Sequence, residues 1–129
     1  IFFYSVKHKQ YNCFLSENTV LPMMYMPDAI RGTIELMNAP ASSLSIRSAY
    51  NFSAFSFSPQ DLAKCITVEV PDFSIQYAPD FRQAIADSWP ASIDDSFARN
   101  DWGWKPEFTL EKMTKDMLSN IMRMDEIAI

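Results

Sequence analysis

Histidine and cysteine, the side chains that most often act as metal ligands or nucleophiles, are sparse in this chain. The single histidine, His8, lies between two lysines, and Cys13 and Cys65 are far apart and embedded among apolar residues. One exposed histidine forms neither a metal site nor a catalytic triad. The cysteine pattern contains no CxxC spacing and favours free buried thiols over a disulfide. We therefore expect no metal site and no nucleophilic centre.

Asp94 and Asp95 are adjacent carboxylates, a pair that could serve as acid and base. Their place in the predicted first turn of a helix favours another interpretation, because carboxylates near the positive end of a helix stabilise it. We expect both to be capping charges, and we predict no catalytic residue in this chain.

Composition excludes several classes of partner. The 129 residues carry a formal net charge of −5, and nucleic-acid binding needs clustered Lys and Arg, so no nucleic-acid partner is expected. No run of about 18 apolar residues occurs, so no membrane-spanning segment is expected. Apolar residues form 48% of the chain, enough for the core of one globular domain. The apolar opening residues look like a helix whose earlier turns are missing.

Turn-forming residues and apolar periodicity outline the elements that must position any site. Strands are predicted at residues 11–15, 21–26, 48–52 and 73–77. Helices are predicted from residue 27, from residue 59, over 79–88 and 92–100, and from residue 109. Short strands that alternate with helices indicate an α/β or α+β arrangement.

Some helices show finer signals. Ser58 can cap the helix that follows it, with Asp61 in the third position. The β-branched residues 67–70 leave helix and strand open there. Two apolar stripes recur at helical spacing, and we expect the first to be buried and the second to be a core or subunit-contact face. The first comprises Ile30, Ile34 and Met37, and the second Met113, Met117, Ile121 and Met124.

The second half of the chain resembles the C-terminal signature of extended short-chain dehydrogenases. The residues that carry this resemblance are Arg82, Asp95, Ala98, Arg99, Gly103, Trp104 and Pro106. Within that family the chain is most similar to the NAD-dependent L-threonine 3-dehydrogenases, through residues 21–28, 50–51, 56–59 and 82–90. The resemblance implies an α/β fold in which residues 1–129 are a single C-terminal substrate-binding or cap region with the terminal helices, lacking most of the Rossmann domain.

One position favours this group over the nucleotide-sugar epimerases of the same family. Those enzymes typically place an arginine two residues before the tyrosine of the strand-to-helix junction, where it can bind a diphosphate. This chain has Met23 before Tyr25. A substrate without phosphates needs no such charge, and an apolar wall over residues 23–26 suits a small substrate held largely by shape.

The resemblance implies a parent enzyme that uses NAD to oxidise L-threonine to 2-amino-3-oxobutyrate. That reaction requires a Gly-rich cofactor turn and a Tyr-x-x-x-Lys pair. The chain contains only Gly32 and Gly103, and no tyrosine is followed by lysine at that spacing. We therefore predict no cofactor-binding residues, no bound NAD and no activity for this chain alone.

Four residues are candidates for substrate binding. Trp89, between Ser88 and Pro90, could close a small pocket and exclude water from hydride transfer, or it could be a core aromatic residue. Tyr25 and Met26 could line the same pocket or lie in a core strand.

Arg82 is the fourth candidate, because a guanidinium could bind the carboxylate of threonine. Pairing with Asp80 or Asp87, its neighbours in sequence, is the favoured alternative.

Two functional hypotheses remain open. The chain is the C-terminal part of a threonine dehydrogenase whose chemistry lies upstream, or it is a non-catalytic binding module that associates with a full-length homologue. A fragment of an epimerase-like enzyme is a weaker third hypothesis. Association into a homo-oligomer is compatible with either of the first two. Animal members of the family are mitochondrial, so the resemblance implies a mitochondrial location.

Overall fold

The computed structural model describes residues 1–127, with side chains described through Met124. The described residues form helices and short strands that alternate along most of the chain. The helices are α1 (Phe2–His8), α2 (Met26–Asn38), α3 (Pro59–Glu69), α4 (Arg82–Asp87), α5 (Ser96–Trp102) and α6 (Leu110–Ile127). The strands are β1 (Gln10–Cys13), β2 (Leu21–Met23), β3 (Phe55–Phe57) and β4 (Ser74–Tyr77). The predicted α/β class is confirmed.

The strands form two small sheets. Strand β1 pairs in parallel with β4, with Gln10 opposite Ser74, and β2 pairs antiparallel with β3, with Leu21 opposite Phe57. Helix α3 connects β3 to β4 and therefore joins the two sheets. A two-stranded sheet is only marginally stable in water by itself. The helices between the two sheets therefore hold the sheets in position.

The core lies between α3 and α6. Ile66 of α3 is 0% exposed and Leu118 of α6 is 1% exposed, and α1 also packs against α6. Met113 is buried and Met117 packs against the same cluster. The predicted methionine stripe is therefore a core face over its first two turns, whereas Met124 is exposed.

The start of α3 confirms the predicted capping box. The Ser58 hydroxyl accepts the Asp61 N–H, and the Asp61 carboxylate accepts the Ser58 N–H. The sequence left helix and strand open at residues 67–70. In the structure this stretch is helical, and α3 continues through Glu69. Burial of Ile66 and the bond from the Val70 N–H to its carbonyl hold the last turn against the β-branched preference.

The predicted strand at residues 48–52 is wrong. Tyr50 donates a hydrogen bond to Asp101, and Phe52 packs edge-on against Trp104. Side-chain contacts to the segment after α5 therefore hold this stretch in place of a strand ladder.

Several predicted boundaries also move, and β1 ends at Cys13 rather than at residue 15. Strand β2 ends at Met23, because Tyr25 is already the N-cap of α2. Helix α4 begins at Arg82 rather than at residue 79, after Asp80 has accepted the Arg82 N–H. Helix α5 begins at Ser96 rather than at residue 92.

The prediction of a buried stripe on α2 is also wrong. Ile30, Ile34 and Met37 are 53%, 52% and 79% exposed. The packed face of α2 carries Asp28 and Gly32 instead. Apolar spacing located the helix correctly, but it does not distinguish a face covered by this chain from a face left open.

Gly32 sets how closely α2 approaches its neighbours. A Cβ atom at this position would lie 2.6 Å from the Phe52 ring and 2.7 Å from the Trp104 ring. Both distances are far below van der Waals contact, so the rings occupy the space that any other side chain would need.

The remaining expectations concern thiols, membranes and metals. Cys13 is a buried free thiol, whereas Cys65 is a free thiol that is only partly buried. Within residues 1–127, no helix is long and apolar enough to cross a membrane. The same residues contain no cluster of three or more His, Cys, Asp or Glu side chains that could hold a metal ion.

Candidate functional site

Trp89 lies in the turn that follows α4. Its backbone N–H donates to the Ala86 carbonyl at 3.1 Å, so the turn continues the helical path of the backbone. The indole is 60% exposed. Trp89 is therefore not a core residue of this chain, and its ring is available to a ligand or to another surface.

Two further apolar side chains share the face of α4 that carries Trp89. Phe81 and Ile85 precede Trp89 by eight and four positions, which is the spacing of one helical face. They are 77% and 54% exposed. We call Phe81, Ile85 and Trp89 the α4 face. A contiguous exposed apolar face is typical of a surface that contacts a ligand or another part of a protein.

Arg82 is paired within the chain, as the favoured alternative proposed. Its guanidinium lies 2.6 Å from the Asp80 carboxylate and 3.4 Å from the centroid of the Phe14 ring. Hydrogen bonds from Arg82 hold the pKa of Asp80 below its usual value. Asp87, the other possible partner, accepts from Gln83 instead.

Tyr25 is also committed to contacts within the fold. Its hydroxyl donates to the Asp116 carboxylate on α6 at 2.7 Å, and its ring packs edge-on against Phe108. The hydrogen bond to Asp116, together with burial, raises the pKa of Tyr25. The phenol therefore ties the start of α2 to α6.

Met26 is the first residue of α2 and is 63% exposed. It lines an open apolar groove together with Ile30 and Ile34. Arg82 lines a different groove with Tyr4, His8 and Tyr11 among others. The structure therefore does not bring the four candidates into one pocket. Tyr25 and Met26 lie at the start of α2, Arg82 is the first residue of α4, and Trp89 follows the end of α4.

The buried carboxylate of Asp28 joins α2 to the segment before α6. It accepts the backbone N–H groups of Glu107 and Phe108 at 3.0 Å, and it pairs with Arg31 at 2.8 Å. Burial alone would raise the pKa of Asp28, but the bonds from Arg31, Phe108 and Glu107 outweigh it, so the pKa lies below the ordinary value. Arg31 in turn stacks over Trp104 and donates to the Lys105 carbonyl.

The capping prediction for the two adjacent aspartates is correct for only one of them. The Asp94 carboxylate accepts the Ser96 N–H. Asp95 is the N-cap of α5 but makes no side-chain cap, because its carboxylate pairs with Arg99 and contacts Ser53. The two aspartates do not form an acid–base pair, since each carboxylate is held by its own partners.

The two glycines have structural tasks. Gly32 is enclosed by aromatic rings, and Gly103 ends α5 in the left-handed region with a φ of 76°. A dinucleotide turn needs several glycines in one loop that lets the backbone approach a pyrophosphate. The residues of this chain do not fit NAD in that manner.

Two features of the site were absent from the sequence-based prediction. The spacing of Phe81, Ile85 and Trp89 was visible in the sequence and could have predicted one apolar face. The second feature is the Gln83 side chain, whose Oε1 atom accepts the Ser16 N–H. The sequence could not predict this bond, because Ser16 lies 67 positions away.

No protein-family model matches this chain. A mitochondrial L-threonine 3-dehydrogenase of Bos taurus is 50% identical over 120 residues, which are 92% of this chain and 32% of the bovine protein. An uncharacterized epimerase/dehydratase of Staphylococcus aureus is 43% identical over 128 residues, 98% of this chain and 40% of the relative.

Solved structures give the same result. The GalE-like L-threonine dehydrogenase of Cupriavidus necator in its apo form is 57% identical, with a TM-score of 0.89 over 93% of this chain and 43% of that protein. The chain thus spans roughly one third to two fifths of the length of these relatives, and it corresponds to their C-terminal part.

Proposed function

Because the chain is homologous over nearly its whole length to the C-terminal part of L-threonine 3-dehydrogenases, we propose that it is the substrate-side region of such an enzyme. The complete enzyme oxidises L-threonine to 2-amino-3-oxobutyrate with NAD. Residues 1–129 form one cap region, in which Trp89 is the principal substrate-binding residue and Met26 and Tyr25 form a second apolar wall.

The observation that carries this proposal is the exposed α4 face. Trp89 is 60% exposed although it is fixed by a helical turn and followed by Pro90. A rigid indole can cover a small substrate at low cost in conformational entropy and can keep water away from the reacting carbon. Arg82 contributes by holding Asp80 and Phe14, and its remaining donors can face a substrate carboxylate.

NAD and the catalytic tyrosine–lysine pair belong to the N-terminal part of the complete enzyme in this proposal. NAD would accept the hydride in that part of the enzyme, and this chain would contribute no residue to the hydride transfer itself. The positions of Gly32 and Gly103 support this division. The isolated chain is accordingly proposed to be inactive.

A domain graft tests the proposal directly. The C-terminal part of the Cupriavidus necator enzyme is replaced by the matching residues of this chain, and NADH formation is followed with L-threonine. We expect the graft to oxidise threonine and the isolated chain to produce no NADH. A graft that folds and binds NAD but leaves threonine unchanged would overturn the proposed function.

Within the graft, Trp89→Ala should reduce kcat/KM about tenfold or more, because the transition state loses its contact with the indole. Val68→Ala is the matched control, since Val68 is an exposed apolar residue of α3. Equal kinetics for both variants would contradict the role of Trp89. Unfolding of Trp89→Ala in a thermal melt would point to a structural role.

The Staphylococcus aureus relative favours a second candidate, an epimerase-like parent. Met23 argues against it, because this exposed apolar residue offers no charge to a diphosphate. The graft distinguishes the two when it is offered a nucleotide sugar in place of threonine. A binding module would instead form a stable complex with the intact enzyme, detected by mixed-oligomer analysis.

A mitochondrial location is proposed on the strength of the cattle and pig relatives, both of which are named as mitochondrial. Imaging of the tagged full-length gene product tests it, and a cytosolic signal would overturn it.

A further inference from the structure

Helix α4 cannot hold Trp89 in place by itself. It has six residues, Arg82–Asp87, and isolated helices shorter than about 12 residues are marginal in water. Only Ala86 of this helix is buried. Backbone bonds from Ala78 and Asp80 to Cys13 and Phe14 hold the chain just before α4. Beyond that point, the position of the α4 face depends on side-chain bonds between α4 and the rest of the molecule.

The amide of Gln83 makes the largest set of these bonds. Its Oε1 atom accepts the Ser16 N–H at 2.8 Å, and its Nε2 atom donates to the Thr19 hydroxyl at 3.0 Å. The Nε2 atom also donates to Asp87 at 2.6 Å, a bond that lies within α4. Both ends of the amide are thus engaged. Gln83 lies two positions after Phe81 and two before Ile85, so it extends away from the α4 face.

The turn that receives Gln83 is itself anchored to the core. The Thr19 N–H closes the turn onto the Ser16 carbonyl, and the Gln60 N–H at the start of α3 donates to the Glu17 carbonyl. Helix α3 carries Ile66, which is fully buried. A continuous series of contacts therefore runs from the core through α3, the turn at residues 16–19 and Gln83 to α4.

We propose that Gln83 is the positioning residue that fixes the α4 face, and with it the Trp89 indole, over the substrate. This inference rests on the proposed function for its consequence in catalysis. Gln83 does not touch the substrate. It acts through α4 by setting the angle at which Trp89 is presented.

The order of the Trp89 side chain in the intact 129-residue chain tests this placement without any enzymatic assay. The indole N–H signals of the tryptophans are recorded by 15N NMR, and the Trp89 signal is assigned with Trp89→Phe. In Gln83→Ala, we expect the heteronuclear NOE of the Trp89 indole to fall while that of the buried Trp104 is unchanged. Gln76→Ala, which truncates an exposed glutamine on β4, should leave both signals unchanged.

Two further variants keep the test decisive. If Gln83→Ala also lowers the heteronuclear NOE of Trp104, the fold is lost. Thr19→Val, which removes the hydroxyl that Gln83 binds, is then measured instead of Gln83→Ala. The double variant Gln83→Glu with Asp87→Asn exchanges donor and acceptor between the two positions and should restore the order of Trp89. An unchanged Trp89 signal in both Gln83→Ala and Thr19→Val would overturn the inference.

The catalytic consequence is measured separately in the active graft, where Gln83→Ala should raise the KM for threonine about threefold to tenfold with a smaller change in kcat. Failure of the graft to oxidise threonine would overturn the proposed function and leave the NMR result intact. A mobile Trp89 combined with unchanged KM would overturn the proposed consequence alone.

Discussion

At the scale of single residues, Asp28 shows how much one buried carboxylate can hold together. Its two oxygens accept two backbone N–H groups and pair with Arg31, and the residue is 0% exposed. The sequence placed Asp28 correctly near the start of a helix. The sequence could not show that the carboxylate accepts hydrogen bonds from a segment far along the chain, because no local pattern predicts that contact.

Replacing Asp28 with Asn should destabilise the chain by about 3 kcal/mol at neutral pH, since breaking a buried ion pair leaves its partners uncompensated. The folded-state pKa of Asp28 is lowered, so its stabilising contribution is present above the unfolded pKa of about 4 and is lost as the pH falls through the folded value.

Urea unfolding from neutral to acidic pH checks both parts of this prediction. The difference between the original chain and Asp28→Asn should shrink as the pH falls below about 4. Asp72→Asn, a change at an exposed aspartate, serves as the control and should have little effect at neutral pH. A constant difference at every pH would contradict the assignment.

At the scale of elements, the parts of the fold that follow from local chemistry were predicted well. The capping residues of α3 are the clearest case, because Ser58 and Asp61 satisfy each other's backbone groups within four positions. The strand at residues 48–52 failed because Tyr50 bonds to Asp101 and Phe52 packs against Trp104, both far along the chain. Such long-range contacts outweigh the local preference that an alternating apolar pattern gives for a strand, and a single sequence does not reveal them.

The packing of α2 on its neighbours predicts the cost of Gly32→Ala. Alanine favours a helix over glycine by about 1 kcal/mol, but its Cβ would overlap the Phe52 and Trp104 rings. Overpacking typically costs about 1–3 kcal/mol. Trp104 is fully buried and its indole donates to the Ser53 carbonyl, so it has little freedom to move.

We therefore expect Gly32→Ala to lower the free energy of unfolding, measured by chemical denaturation. Thr33→Ala is the matched control on the exposed side of the same helix, where alanine should be nearly neutral. A Gly32→Ala variant as stable as the original chain would show that the rings can shift at little cost.

At the scale of the whole molecule, the described residues include two exposed faces on which apolar side chains recur at helical spacing. One is the α4 face, and the other is the α2 stripe, formed by Met26, Ile30, Ile34 and Met37. The periodicity of the α2 residues was read correctly, but burial was assigned wrongly, because periodicity does not show whether the same chain supplies a surface that covers the stripe.

The α2 stripe predicts that the isolated chain self-associates or binds a hydrophobic dye, because contiguous exposed apolar surface promotes both. Sedimentation across a range of concentrations and dye fluorescence measure these effects. Ile34→Glu should reduce them, whereas Val68→Glu, at an exposed residue of α3, should not. A monomer that binds no dye at high concentration would contradict the prediction.

The partners of Asp28 also bear on the time course of folding. Glu107 and Phe108 lie 79 and 80 positions further along the chain, so these bonds close a very long loop. The entropic cost of that closure must be met before the bonds contribute anything. Contacts that form after the rate-limiting step affect the unfolding rate and leave the folding rate almost unchanged. We therefore expect Asp28→Asn to raise the unfolding rate more than it lowers the folding rate, so that Asp28 determines how long the chain stays folded more than how fast it folds.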